Sequence, residues 1–288
     1  GDVTCDHYRR WAEDVDLMSR LGLNTYRFSL AWSRIFPDGR RVNALGLDFY
    51  SRLVDRLLER GIVPAVTLHH WDLPTALEDS GAWLDRDLVN RFGDFAEIAF
   101  EALADRVSMW MTINEPWVIM DAGYLYGVPP PGLRGRREAA VASHHLLLAH
   151  AEAVRRYRAC WRGKIGLVVN LEPKDPATDK PEDHEAARHA HAYNNLYHLD
   201  PALLGRYPDE LLAVFGADWP GFDAAEVASM RQPIDFVGVN YYTRKVVRHD
   251  PEAVLGYSPV DVPGAWTMAT GWELHPPSLL RTLVDVRE

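Results

Sequence analysis

Proton-transfer chemistry in this chain is concentrated where apolar segments run out into carboxylates, amides and imidazoles. Residues 107–113 read as a short buried strand, followed at once by Asn114, Glu115, Pro116 and Trp117. Pro116 offers no N–H to a neighbouring strand and disfavours the helical region for the residue before it, so Glu115 is expected to be extended at the strand end. A glutamate there, flanked by the amide of Asn114 and the indoles of Trp110 and Trp117, has the surroundings a general acid needs. Structural ion pairs use the same residue types, so the reading rests on what the rest of the chain brings to it.

Four further apolar segments end in polar groups. Arg27 lies within residues 24–32; His69, His70, Trp71 and Asp72 follow residues 62–68; Asn170 and Glu172 stand at the end of residues 164–171; Asn240 and Tyr242 close residues 234–242. Asn240 and Tyr242, two apart, share a face of their strand. Strict alternation sends Asn114 and Glu115 to opposite faces unless the strand bulges or ends there.

The elements that position these residues alternate along the chain. Trp11, Val15, Met18 and Leu21 recur at helical spacing before Gly22, and Leu47, Tyr50, Val54, Leu57 and Leu58 do so before Gly61. Further helices are expected over residues 85–103 and 138–160, in stretches up to residue 215, and from residue 278 onward, with a charged loop at 173–183. Five buried strands, each separated from the next by at least one helix, require parallel crossovers. With polar residues at the C-terminal strand ends, the pattern predicts an α/β fold of the (β/α)₈ barrel type, whose chemistry sits on that face. An open doubly wound sheet is the runner-up, but no Gly-rich phosphate fingerprint follows the first strand.

Composition narrows the function classes. Thirty-one basic against 41 acidic side chains, a net charge of −10, argue against a nucleic-acid surface. No run is apolar enough for a membrane helix, and Cys5 and Cys160 fit no metal or redox spacing, so a soluble protein with free thiols in the cytoplasm is expected. The ten tryptophans suit sugar or aromatic pockets and core packing alike. His184-Glu185-Ala186-Ala187-Arg188-His189 misses the zinc pattern because its second histidine comes one place late, about 100° further round a helix. No metal or other cofactor is expected, although a metal-dependent barrel hydrolase using His69 and His70 stands as a rival reading.

The motifs Tyr26-Arg27-Phe28-Ser29-Leu30-Ala31-Trp32-Ser33-Arg34-Ile35, Thr67-Leu68-His69-His70-Trp71-Asp72-Leu73-Pro74, Thr112-Ile113-Asn114-Glu115-Pro116-Trp117 and Gly238-Val239-Asn240-Tyr241-Tyr242-Thr243 resemble successive signatures of family 1 of the glycoside hydrolases, the β-glucosidases. The resemblance runs in the family's order over almost the whole chain. It implies a retaining β-glycosidase acting on a β-glucoside or oligosaccharide, with Glu115 as acid/base and Asn114 on the sugar 2-hydroxyl. It implies further that His70 and Trp71 contact the glycone, that Arg27 and Tyr242 orient the nucleophilic carboxylate, and that Asn240 supports the catalytic pair. The family's nucleophile lies in a Thr-Glu-Asn-Gly stretch, and residues 1–288 contain none. The chain therefore reads as one partial domain, strands two to six of a barrel of eight, inactive by itself. A catalytically incomplete sugar-binding fragment is the alternative, and Glu172 a remote substitute nucleophile. Oligomeric state and glycone preference are left open.

Overall fold

Helix His7–Arg20 ends because Gly22 takes the left-handed conformation, φ 75°, which lets Leu21, Gly22 and Leu23 donate back to the last turn. The chain is released directly into strand β1 (Thr25–Ser29). Gly61, φ 72°, does the same after helix Ala44–Glu59 and feeds β2 (Val63–His69). Helix Leu88–Leu103 leads to β3 (Met109–Asn114), and the long helix Arg136–Cys160 to β4 (Lys164–Asn170). The computed structural model describes residues 4–287. Among them no helix is long and apolar enough to cross a membrane.

The principal sheet has five strands in the order β1-β2-β3-β4-β6, where β5 (Lys174–Pro176) lies in another sheet and β6 is Phe236–Asn240. β1 pairs with β2 and β2 with β3 in parallel, in registers that set Arg27 opposite Ala65 and His69 opposite Ile113. A doubly wound sheet reverses its strand order at a switch point, whereas here the order follows the chain, as it does in a (β/α)₈ barrel. The fold is that of strands two to six of such a barrel. β2, β3 and β4 are mostly buried, while at the two ends of the order β1 is mostly exposed and β6 half-buried throughout.

The described residues fall into two compact units, one within Gly1–Asn114, Glu152–Leu167 and Pro233–Val237, the other within Glu115–Ala151, Val168–Gln232 and Gly238–Glu288. The first unit packs Trp32 on Phe95, ring centres 5.0 Å apart, with Phe92, Trp83 and His69 around them. His69 is thus a core residue. Burial, and secondarily the neighbouring His70, pushes its imidazole down to about 3, so it stands neutral among these aromatic rings. The first strand is shorter than residues 24–32. Leu30 N still donates to Thr67 O at 2.9 Å, but Ala31 N is taken by the Tyr50 hydroxyl at 2.7 Å, and Trp32 opens a helical turn, Trp32–Ile35, instead of prolonging the ladder.

The second unit contains a three-stranded sheet that periodicity does not reveal. β5 pairs in parallel with β7 (Lys245–His249), which pairs in antiparallel with β8 (Tyr257–Val260). The expected charged loop at residues 173–183 therefore holds a strand and the start of helix Pro181–His191. Two π-helical segments, Ile119–Leu125 and Ala192–Leu196, also belong to this unit. Such segments occur frequently at functional sites. His144 and His145, adjacent on helix Arg136–Cys160, are both buried.

Candidate active site

In the first unit the predicted residues gather on Asn114, the last residue of β3, which is 1% exposed. Arg27 directs Nη2 to Asn114 Oδ1 at 2.7 Å and Nε to Thr67 Oγ1 at 2.9 Å. A guanidinium has only donors, so it fixes the carbonyl end of the amide toward itself and the NH₂ end away. That NH₂ group meets His70 Nε2 at 3.3 Å. Trp71 leaves β2 with φ 81°, a left-handed conformation that is uncommon for a residue with a Cβ. Its indole then donates from Nε1 to Asn114 O at 3.0 Å while the side chain stays 45% exposed. A groove of about 340 Å³ lined by Tyr26, Arg27, Thr67 and His70 opens here. Amide, imidazole, guanidinium and a half-exposed indole are the groups that recognise sugar hydroxyls and the apolar face of a sugar ring.

In the second unit Glu115 is not extended. It takes φ 48° and ψ 62°, again left-handed, one residue before Pro116 begins a helical turn. The expectation failed because the proline blocks only the right-handed region, and the fold over-determines a strained alternative of the kind that costs about 1–3 kcal/mol and clusters at functional sites. Glu115 N still donates to Val168 O at 2.8 Å, so the backbone stays tied to β4 while the side chain leaves the pleat. The carboxylate, 3% exposed, accepts from Asn240 Nδ2 at 2.7 Å and from the Tyr242 hydroxyl at 3.1 Å, both on Oε1. β6 ends at Asn240, short of the expected Tyr242, yet both side chains reach the same carboxylate oxygen.

Glu172 does not join that group. It is paired with Lys174 Nζ, which also donates to Asn194 Oδ1 at 2.8 Å. Burial pulls the Lys174 ammonium down and Glu172 pushes it back up. Asn170 closes β4, and its carbonyl accepts a long bond, 3.5 Å, from Asn194 Nδ2. Among the described residues, no three histidine, cysteine, aspartate or glutamate side chains are grouped as a metal's ligands would be.

Two residues, one in each unit, have partners that the sequence reading did not anticipate. Thr67 is an ordinary strand threonine until its hydroxyl is seen under Arg27. Asp121, on the first π-helical segment, receives the Tyr193 hydroxyl at 2.8 Å. Burial pushes its carboxyl up to about 6, against the Tyr193 hydrogen bond and the Lys174 charge, with Glu172 adding to the rise. From about pH 4 to pH 6 the folded chain keeps a proton that the unfolded chain has lost, so Asp121 costs stability that grows across this window and is fully present above it. The cost amounts to about 3 kcal/mol. Asp121→Asn, which still accepts from Tyr193, is expected to gain up to that much against urea at pH 7.5 and to match the parent near pH 4. A stability difference independent of pH would remove Asp121 as the titrating group.

Comparison with known proteins identifies the family. The sequence pattern of glycosyl hydrolase family 1 matches residues 1–285. β-Glucosidase A of Thermotoga maritima is 45% identical over all of this chain and 65% of its own length. A 1,4-β-D-glucan glucohydrolase of Thermotoga neapolitana is 42% identical, over all of this chain and 68% of its own length. The structure of the Thermotoga maritima β-glucosidase in complex with deoxynojirimycin matches with a TM-score of 0.95 at 43% identity, over 99% of this chain and 65% of that one. The chain therefore spans about 65% of the length of the first of these curated relatives. With motifs, strand order and family pattern in agreement over nearly its full extent, the chain belongs to glycosyl hydrolase family 1.

Proposed function

We propose that the whole protein is a retaining β-glucosidase working by double displacement, and that residues 1–288 form part of its one catalytic domain. Glu115 is its acid/base. The observation that carries this reading is the pair of donors on a single carboxylate oxygen, Asn240 Nδ2 at 2.7 Å and Tyr242 Oη at 3.1 Å. With Oε1 accepting both, Oε2 is the oxygen left to carry a proton toward a leaving group. Asn114 takes the sugar 2-hydroxyl, its amide oriented by Arg27, while His70 and Trp71 contact the glycone. Tyr242 and Arg27 serve the nucleophilic carboxylate in the family's scheme. The complex of the Thermotoga maritima enzyme with deoxynojirimycin supports a glucoside-like substrate. Two unpaired cysteines, both exposed, favour a reducing cytoplasmic setting.

The stereochemical course tests the reading. Hydrolysis of an aryl β-glucoside by the whole protein, followed by proton NMR, is expected to release the β-anomer first. Release of the α-anomer first, as an inverting pair of carboxylates gives, would contradict it.

A further inference from the structure

The second π-helical segment, Ala192–Leu196, presents two consecutive buried amides, Asn194 and Asn195, 5% and 6% exposed. Asn195 accepts from Glu172 N at 2.9 Å through Oδ1 and donates from Nδ2 to Glu172 O at 3.0 Å. One side-chain amide thus pairs with both backbone groups of one residue, as a neighbouring strand would, two residues beyond the end of β4. Its orientation is fixed from behind. Nδ2 lies 2.9 Å from His191 Nδ1, and burial favours the neutral imidazole, in which that nitrogen can accept. Asn194 Nδ2 donates to Asn195 Oδ1 at 3.2 Å.

The backbone that Asn195 grips is the backbone that holds Glu115. Leu171 N, one residue before Glu172, donates to Asn240 O at 3.0 Å, and Asn240 Nδ2 donates to Glu115 Oε1 at 2.7 Å. Val168 O receives Glu115 N at 2.8 Å. Residues 168–172 therefore restrain Glu115 at its main chain through Val168 and at its carboxylate through Leu171 and Asn240.

Building on the reading of Glu115 as acid/base, we propose that Asn195 is a positioning residue for proton delivery, acting through the exit of β4 and Asn240. Truncating its amide leaves Glu172 N–H and C=O without those partners, and the exit of β4 relaxes to find others. Asn240 moves with it, and small displacements of a catalytic group are costly because proton transfer requires hydrogen-bond reach of the leaving oxygen.

The test uses Asn195→Ala and Asn195→Asp in the whole protein, with 2,4-dinitrophenyl and phenyl β-glucosides. The dinitrophenolate leaves without protonation and phenolate does not. Asn195→Ala is expected to slow glycosylation of the enzyme by the phenyl glucoside about 10- to 100-fold, within the range assigned to general acid catalysis, and by the dinitrophenyl glucoside less than about threefold. Asn195→Asp keeps the acceptor for Glu172 N–H and falls between parent and alanine variant, and it serves alone if the alanine variant does not fold. A purely structural role lowers both substrates equally, and that outcome overturns the proposal. Amide hydrogen exchange gives a second reading that needs no activity. The Leu171 and Glu115 amides are expected to exchange about tenfold faster in the variants, and the Leu30 amide, bonded to Thr67 O, at the parent rate. Unchanged exchange at Leu171 overturns the proposal even in an active enzyme. Failure of the parent to hydrolyse either glucoside would instead strike the assignment of function, leaving the exchange result to judge the link from Asn195 to Glu115.

Discussion

Glu115→Ala in the whole protein is expected to lower the rate on phenyl β-glucoside by about 10²–10⁴, the range of a lost general acid/base, while formation of the intermediate from the dinitrophenyl glucoside changes little. The asymmetry follows from the geometry. Asn240 and Tyr242 both occupy Oε1, and a carboxylate held that way has a defined oxygen, Oε2, from which to protonate a leaving group. Phenolate needs that proton and dinitrophenolate does not. Breakdown of the intermediate then becomes limiting for the activated substrate, because the same carboxylate activates the water. Azide needs no base and fits the space the side chain vacates, so it is expected to restore turnover and yield the β-glucosyl azide. Equal losses on both substrates, with no azide effect, would remove Glu115 from this role.

Much of this was legible because strand ends are legible. An apolar run followed by Asn114-Glu115-Pro116 marks where β3 stops, and Gly22 and Gly61 mark where the preceding helices release the chain into β1 and β2. The two-residue spacing of Asn240 and Tyr242 gave them a shared face, but not the single oxygen of Glu115 on which both hydrogen bonds fall. What escaped was conformation imposed from a distance. Alternation cannot anticipate left-handed backbone at Trp71 and Glu115, because local sterics disfavour it and contacts far along the chain impose it. β5 is three residues long and exists because Lys245–His249 pairs with it some 70 positions away. The π-helical segment that carries Asn194 and Asn195 reads in the sequence as ordinary helix, since one widened turn leaves no periodic mark.

The largest effect expected is that a polypeptide of residues 1–288, assayed by itself, shows no turnover of an aryl β-glucoside, a deficit on the order of 10⁶ if the loss of a nucleophile in another hydrolase is a guide. Retention requires a second carboxylate about 5 Å from the acid/base. The family's Thr-Glu-Asn-Gly stretch does not occur in these residues, and two further carboxylates in the same unit as Glu115 have other partners: Glu172 is held by Lys174 and Asp121 by Tyr193. β1 and β6 end the order of a parallel sheet and stay open, with Thr25, Arg27 and Ser29 exposed and every residue of β6 only partly covered. Unpaired edges of that kind recruit other chains, so the isolated polypeptide is expected to elute from size exclusion as a self-associated species. Refolding it with a family 1 segment that carries the Thr-Glu-Asn-Gly strand is expected to recover activity, and a segment with that glutamate changed to glutamine is expected to recover none. The decisive contrary result is robust turnover by residues 1–288 alone that Glu172→Gln abolishes. It would require Glu172 to leave Lys174 and reach the sugar, and it would make the fifth strand of the barrel, not the Thr-Glu-Asn-Gly stretch, the source of the nucleophile.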